Sequence, residues 1–87
     1  EYYELSEPYP NPFNAETTIG FFLPLKDILN IDIYDMNGRK IRSLIHGIFD
    51  SGYQEIHWDA GELSSGIYFI QMSSRDFIAT KKVTLIK

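Results

Sequence analysis

Eighty-seven residues with no cysteine and a formal charge of −4 allow one domain and exclude a disulfide framework or thiolate site. The acidic balance argues against nucleic acid and against docking on an anionic membrane, since both need a basic face. No apolar run approaches the length of a membrane span, so direct membrane insertion is not expected. The chain begins at Glu1 without Met or a basic-apolar signal peptide, so it reads as a piece excised from a longer protein.

In chain order, residues 1–8 read as a linker or lead-in from a preceding cargo domain, and 9–87 as the domain proper. Tyr9-Pro10-Asn11-Pro12-Phe13-Asn14 is stiffened by its prolines, which fix their own φ and push the preceding residue into extended geometry. Tyr9 and Phe13 are the expected anchors of this segment. Thr17 to Leu23 is a strand with Ile19, Phe21 and Leu23 on one face, ended by Pro24. Leu29 to Asp35 alternates apolar and polar residues, as a half-buried strand does. Asp35-Met36-Asn37-Gly38 has the residues of a turn, and Arg39 to His46 returns as a third strand. A loop is expected over Gly47 to Gly52. Gln54, Ile56 and Trp58 mark the inward face of a fourth strand, with Glu55, His57 and Asp59 outward.

Gly66 to Ser73 is the fifth strand. Ile67, Tyr68, Phe69 and Ile70 are apolar on both parities, which suggests the interior of a sheet. Ser74-Arg75-Asp76 turns the chain into a last strand over Phe77 to Ile86. No segment has a helical period. Short strands at regular spacing imply an all-β fold, an immunoglobulin-like antiparallel β-sandwich of six to seven strands. Ile31, Ile33, Ile56, Trp58 and Tyr68 are its expected core anchors.

Reactive chemistry is hard to find in these residues. His57 and Glu55 share a strand face, but two ligands do not make a zinc site, and His46 lies on another strand. Asp35 to Gly38 has its glycine too early for a calcium loop. Ser64 and Ser65 lack the flanking glycines of a nucleophile elbow. No catalytic residue, cofactor or metal is expected, and the chain reads as no enzyme. Tyr2, Tyr3, Tyr53 and Phe69 offer a sugar-stacking platform if they share a surface. Packing explains them equally well.

The motifs Tyr9 to Asn14, Thr17-Thr18-Ile19, Leu23-Pro24, Ile33-Tyr34-Asp35 with Gly38-Arg39, Trp58-Asp59, Leu63 with Ser65-Gly66-Ile67-Tyr68, and Ala79 through Lys87 together resemble the type A C-terminal sorting domain of type IX secretion. The family is similar to the immunoglobulin-like domain of the flagellar hook-capping protein. Ala15 stands where the family often has Pro. The resemblance implies a delivery address attached behind a cargo protein. It implies recognition at the outer membrane by type IX machinery, passage through the periplasm, and arrival at the cell surface or outside the cell. A surface sortase usually then removes the domain. Tyr9, Pro10, Asn11, Pro12, Gly66, Tyr68, Lys81, Lys82 and Lys87 are the candidate sorting residues. The last strand is expected at a sheet edge, where its backbone can pair with a receptor and its lysines can be read. The alternatives are an adhesive or carbohydrate-binding sandwich, or a structural immunoglobulin-like spacer, appended to a secreted enzyme.

Overall fold

Two antiparallel sheets pack face to face in the computed structural model, which describes residues 2–87. Glu1, part of the expected lead-in, lies outside them. The elements are β1 (Glu4–Leu5), β2 (Glu16–Leu23), β3 (Asp27–Tyr34), β4 (Lys40–Phe49), β5 (Gly52–Asp59), β6 (Gly66–Ser74) and β7 (Phe77–Leu85). One sheet has the order β1-β2-β5 and the other β4-β3-β6-β7. The fold is therefore an all-β sandwich.

The period-2 pattern of the sequence sets the inner faces. Ile19, Phe21 and Leu23 of β2 and Leu29, Ile31 and Ile33 of β3 are completely buried. Trp58 on β5 and Tyr68 on β6 meet edge to face between the sheets, with ring centroids 6.1 Å apart. Ile70, Met72, Val83 and Leu85 complete that side of the core. Ile56 sits at the core margin and is only partly buried. β6 is an inner strand, flanked by β3 and β7. Its second face, with Ile67, Phe69 and Gln71, is half-buried on the outside of the sheet.

The expected loop over Gly47 to Gly52 is mostly strand. β4 runs on to Phe49, and Gly47, Ile48 and Phe49 pair with Leu29, Ile28 and Asp27. Phe49 is held because its ring meets Phe21 edge-on across the core. Two register shifts in the β3–β4 ladder, between Ile31 and Asp32 and between Ile33 and Tyr34, are bulges that let β4 break strict alternation. The β3–β4 turn forms as its residues suggest. Asp35 accepts the N–H groups of Asn37 and Arg39 on Oδ1, and Gly38 takes a φ of 80°.

The segment before the prolines packs along the sandwich. Glu4 and Leu5 pair with Phe22 and Phe21, and the Ser6 N–H donates to the Gly20 carbonyl. Tyr3 stacks on Phe77 with centroids 5.1 Å apart, and its hydroxyl donates to Asp27. That hydrogen bond is the main reason the Asp27 carboxyl sits below the usual carboxylate range; the Ile28 N–H and Arg75 act in the same direction, against burial. A carboxyl depressed in the folded state contributes stability above its unfolded pKa, and the contribution is lost as pH falls through the folded value. Tyr3→Phe keeps the ring stack and removes the hydrogen bond. The gap in melting temperature between wild type and this variant is expected at neutral pH and should narrow below about pH 4. A gap that stays constant down to about pH 2.5 would contradict that origin.

Candidate recognition site

One corner of the sandwich gathers most of the candidate sorting residues. After β1 the chain crosses from one sheet to the other. Tyr9 pairs with Thr18 of β2 through both of its backbone groups, whereas Phe13 bridges to Leu85 of β7. Thr17 Oγ1 donates to the Pro10 carbonyl at 2.7 Å and fixes the middle of the crossing. Both the Tyr9-Pro10 and Asn11-Pro12 peptide bonds are cis.

Phe13 and Tyr9 behave differently as anchors. Phe13 is buried, with its ring 5.4 Å from that of Trp58. Tyr9 is 79% exposed and is held by its backbone alone. Pro8 is the buried residue on that side. The Tyr9 ring faces solvent, whereas Leu5 and Pro8 are buried before it.

Asn11 closes the edge of the last strand. Its Nδ2 donates to the Lys82 carbonyl at 3.1 Å, and its Oδ1 accepts the Thr84 N–H at 3.0 Å. The side-chain amide thus does the work of a neighbouring peptide group. The Phe13 backbone continues the pairing, donating to the Thr84 carbonyl and accepting the Ile86 N–H. The C-terminal half of β7 is therefore already paired, and its backbone is not available to a receptor strand. The expectation of an open terminal edge is corrected there.

Tyr68 and Gly66 serve the same corner from the other side. The Tyr68 hydroxyl donates to the Ser64 carbonyl at 2.7 Å, which ties the β5–β6 loop to the core. Gly66 pairs with Leu85 at a φ of 156°. Ser65 Oγ accepts the Lys87 N–H at 2.9 Å. A shallow groove of about 580 Å³ opens beside these contacts, between Pro10, Pro12, Asn14, Ile86 and Lys87.

The three lysines do not form one basic patch. Lys81 leans between the sheets and pairs with Glu7 at 2.9 Å. The Lys87 ammonium donates to the carbonyls of Gly61 and Leu63. Lys82 points outward and has no carboxylate within 4 Å among the described residues. Asn11 as a strand-edge mimic is the feature sequence reasoning missed. Its only local signal is an amide placed between two prolines.

The remaining candidate chemistry is dispersed. His57 Nδ1 lies 3.0 Å from Thr18 Oγ1 on one sheet, whereas His46 contacts Asn30 on the other. Three of the four aromatics named as a sugar platform, Tyr3, Tyr53 and Phe69, do not share a surface. Tyr53 covers Gly20 on the three-stranded sheet, Phe69 lies outside the four-stranded sheet, and Tyr3 is stacked on Phe77. Among the described residues no three carboxylate or imidazole groups converge as metal ligands, and no helix is long and apolar enough to cross a membrane.

Comparison with known proteins adds one match. Searches among curated proteins and among solved structures returned none. The family described as "Secretion system C-terminal sorting domain" matches residues 7–87, a span that takes in the crossing segment, the Trp58–Tyr68 contact and all of β7. The chain therefore belongs to the C-terminal sorting domains of type IX secretion.

Proposed function

We propose that the corner built by Tyr9 to Asn14, Gly66, Tyr68 and the end of β7 is the surface through which this sorting domain is recognised. The sorting signal directs an attached cargo towards the cell surface or extracellular space through the type IX system. The finer reading is that the domain folds in the periplasm, is bound at the outer membrane behind its N-terminally attached cargo, and is then removed by a surface sortase. It carries out no chemistry itself, because recognition needs a rigid shape rather than a reactive group. Residues 1–8 are read as leading in from the cargo and 9–87 as the domain proper, with the lead-in docked on the sandwich through the pairing of Glu4 and Leu5 and the burial of Leu5 and Pro8.

The observation that supports this reading is the convergence of the family's separated motifs on one corner. Residues 9–14 and 82–87 are far apart in sequence yet hydrogen-bonded to each other. Folding creates the surface, so an unfolded chain does not display it.

The test is a fusion of residues 1–87 behind a periplasm-directed fluorescent reporter, in a host with type IX machinery. The reporter is expected at the cell surface or in the medium. Retention in the periplasm would overturn the recognition role and favour a spacer or adhesive module. Single Lys81→Gln, Lys82→Gln and Lys87→Gln changes refine it. Each is expected to cost under about 1 kcal/mol, as exposed ion pairs and surface contacts do. Lys82→Gln is expected to reduce export most, because its ammonium alone is unpaired and outward. Full export by all three variants would show that the lysines are not read.

A further inference from the structure

We propose that the N-terminal half of β7, at Ile78, Thr80 and the Lys82 N–H, is an open strand edge that takes an extended segment of the export machinery by β-augmentation. The proposal rests on the sorting role above and places the contact on a different part of the strand.

The direction of the backbone groups follows from the register. β7 pairs with β6 without a break from Phe77 opposite Ser74 to Leu85 opposite Gly66. In an antiparallel ladder, alternate residues turn both N–H and C=O towards one neighbour and the next residue turns both away. Lys82, Thr84 and Ile86 all reach Asn11 or Phe13 with outward-facing groups. Thr80 and Ile78 are in phase with them, so their N–H and C=O groups also point away from β6. No described residue pairs with those groups through its backbone.

This stretch differs from the other strand edges. Exposed strand edges are normally guarded by shortness, bulges, charge or a covering segment. β1 is two residues long. β4 carries two bulges together with Lys40, Arg42 and His46. β5 carries Glu55, His57 and Asp59. The end of β7 is covered by Asn11 and Phe13. Ile78-Ala79-Thr80 has no proline, no bulge and no charge before Lys81 and Lys82, and Ile78 is 65% exposed. The lead-in runs beside this stretch, with Tyr3 on Phe77, Glu7 on Lys81 and β1 close to β7, but no backbone hydrogen bond joins them. Unpaired backbone of this kind, with β-branched Ile78 and Thr80, is a template for a further strand.

Local chemistry defines the occupant. Outward side chains along this edge are Ile78, Thr80 and Lys82. A strand beside them would set an apolar side chain near Ile78 and an acidic one near the unpaired Lys82 ammonium. A groove of about 380 Å³ over Tyr34, Met36, Phe69 and Gln71 lies on the β6 side of Thr80, away from the open edge. The occupant is therefore an extended, β-forming segment with one carboxylate.

Thr80→Pro separates docking from folding. Proline on an edge strand is tolerated where its missing N–H faces away from the sheet. The variant should melt cooperatively near the wild type, whereas Ala79→Pro, which removes a group facing β6, should melt far lower. In the reporter fusion, Thr80→Pro is expected to lower export by at least about tenfold, the effect of losing a backbone bond and meeting the ring at the docking edge. Hydrogen exchange on the isolated domain gives a second reading. The amides of Ile78 and Thr80 should exchange fast, whereas those of Ala79 and Lys81 are protected. Protection at Thr80, or wild-type export by a folded Thr80→Pro fusion while the parent fusion is also exported, would overturn the open edge and leave the sorting role standing. Failure of the parent fusion itself would remove both.

Discussion

Trp58→Ala is expected to destabilise the domain by about 3–5 kcal/mol and to lower its melting temperature by roughly 12–40 °C. The indole is 1% exposed and completes an aromatic contact between Phe13 of the crossing segment and Tyr68 of β6. Removing it opens a cavity at the junction of both sheets and the corner that the family's motifs build. Stability of a domain this size is on the order of 5–15 kcal/mol in total, so the loss is a large fraction of it. Nε1 is buried without a hydrogen-bond partner among the described residues. Trp58→Phe forfeits no hydrogen bond, keeps the ring contacts in part, and should cost clearly less than the alanine change. Chemical denaturation of the three proteins measures the order. Equal losses for Phe and Ala, or a loss under about 1 kcal/mol for Ala, would show that the indole is not the keystone described.

Deletion of Val83 to Lys87 is expected to abolish both cooperative folding and export. Val83 and Leu85 are fully buried, and truncating such side chains costs about 2–5 kcal/mol each. The deletion also strips Asn11 and Phe13 of every β7 partner except the Lys82 carbonyl, which releases the crossing segment. Two losses of that size exhaust the stability of a small domain. Loss of the sharp thermal transition, with the fusion retained in the periplasm, is the expected result. A deleted domain that still melts cooperatively would mean the last turn of β7 is an appendage. Export by such a variant would remove the corner from the recognition surface altogether.

Local pattern determined much of this protein. Alternation over Thr17 to Leu23 and Leu29 to Asp35, the turn residues Asp35 to Gly38, and the two-sided apolar run Ile67 to Ile70 each point to their strand or turn without reference to the rest of the chain. Period-2 patterning is a property of neighbours in sequence, and one face of each strand must be buried wherever the strand lies. The family motifs are legible for a similar reason, as fixed residues at fixed spacing. Other features depend on partners distant in the chain. Ile41-Arg42-Ser43-Leu44-Ile45 does not alternate because bulges opposite β3 absorb the mismatch, and Ile48 and Phe49 are strand because Ile28 and Phe21 lie against them. The roles of the three lysines were decided in the same way. Their identity marks a basic end, but Glu7 holds one, the loop carbonyls of Gly61 and Leu63 hold another, and solvent keeps the third. Which half of β7 is closed depends on Asn11, more than seventy residues away in sequence and 3.0 Å away in space from the Thr84 N–H. A hydrogen bond of that kind is chosen by the packing of two sheets, and packing is not written in any local stretch of the chain.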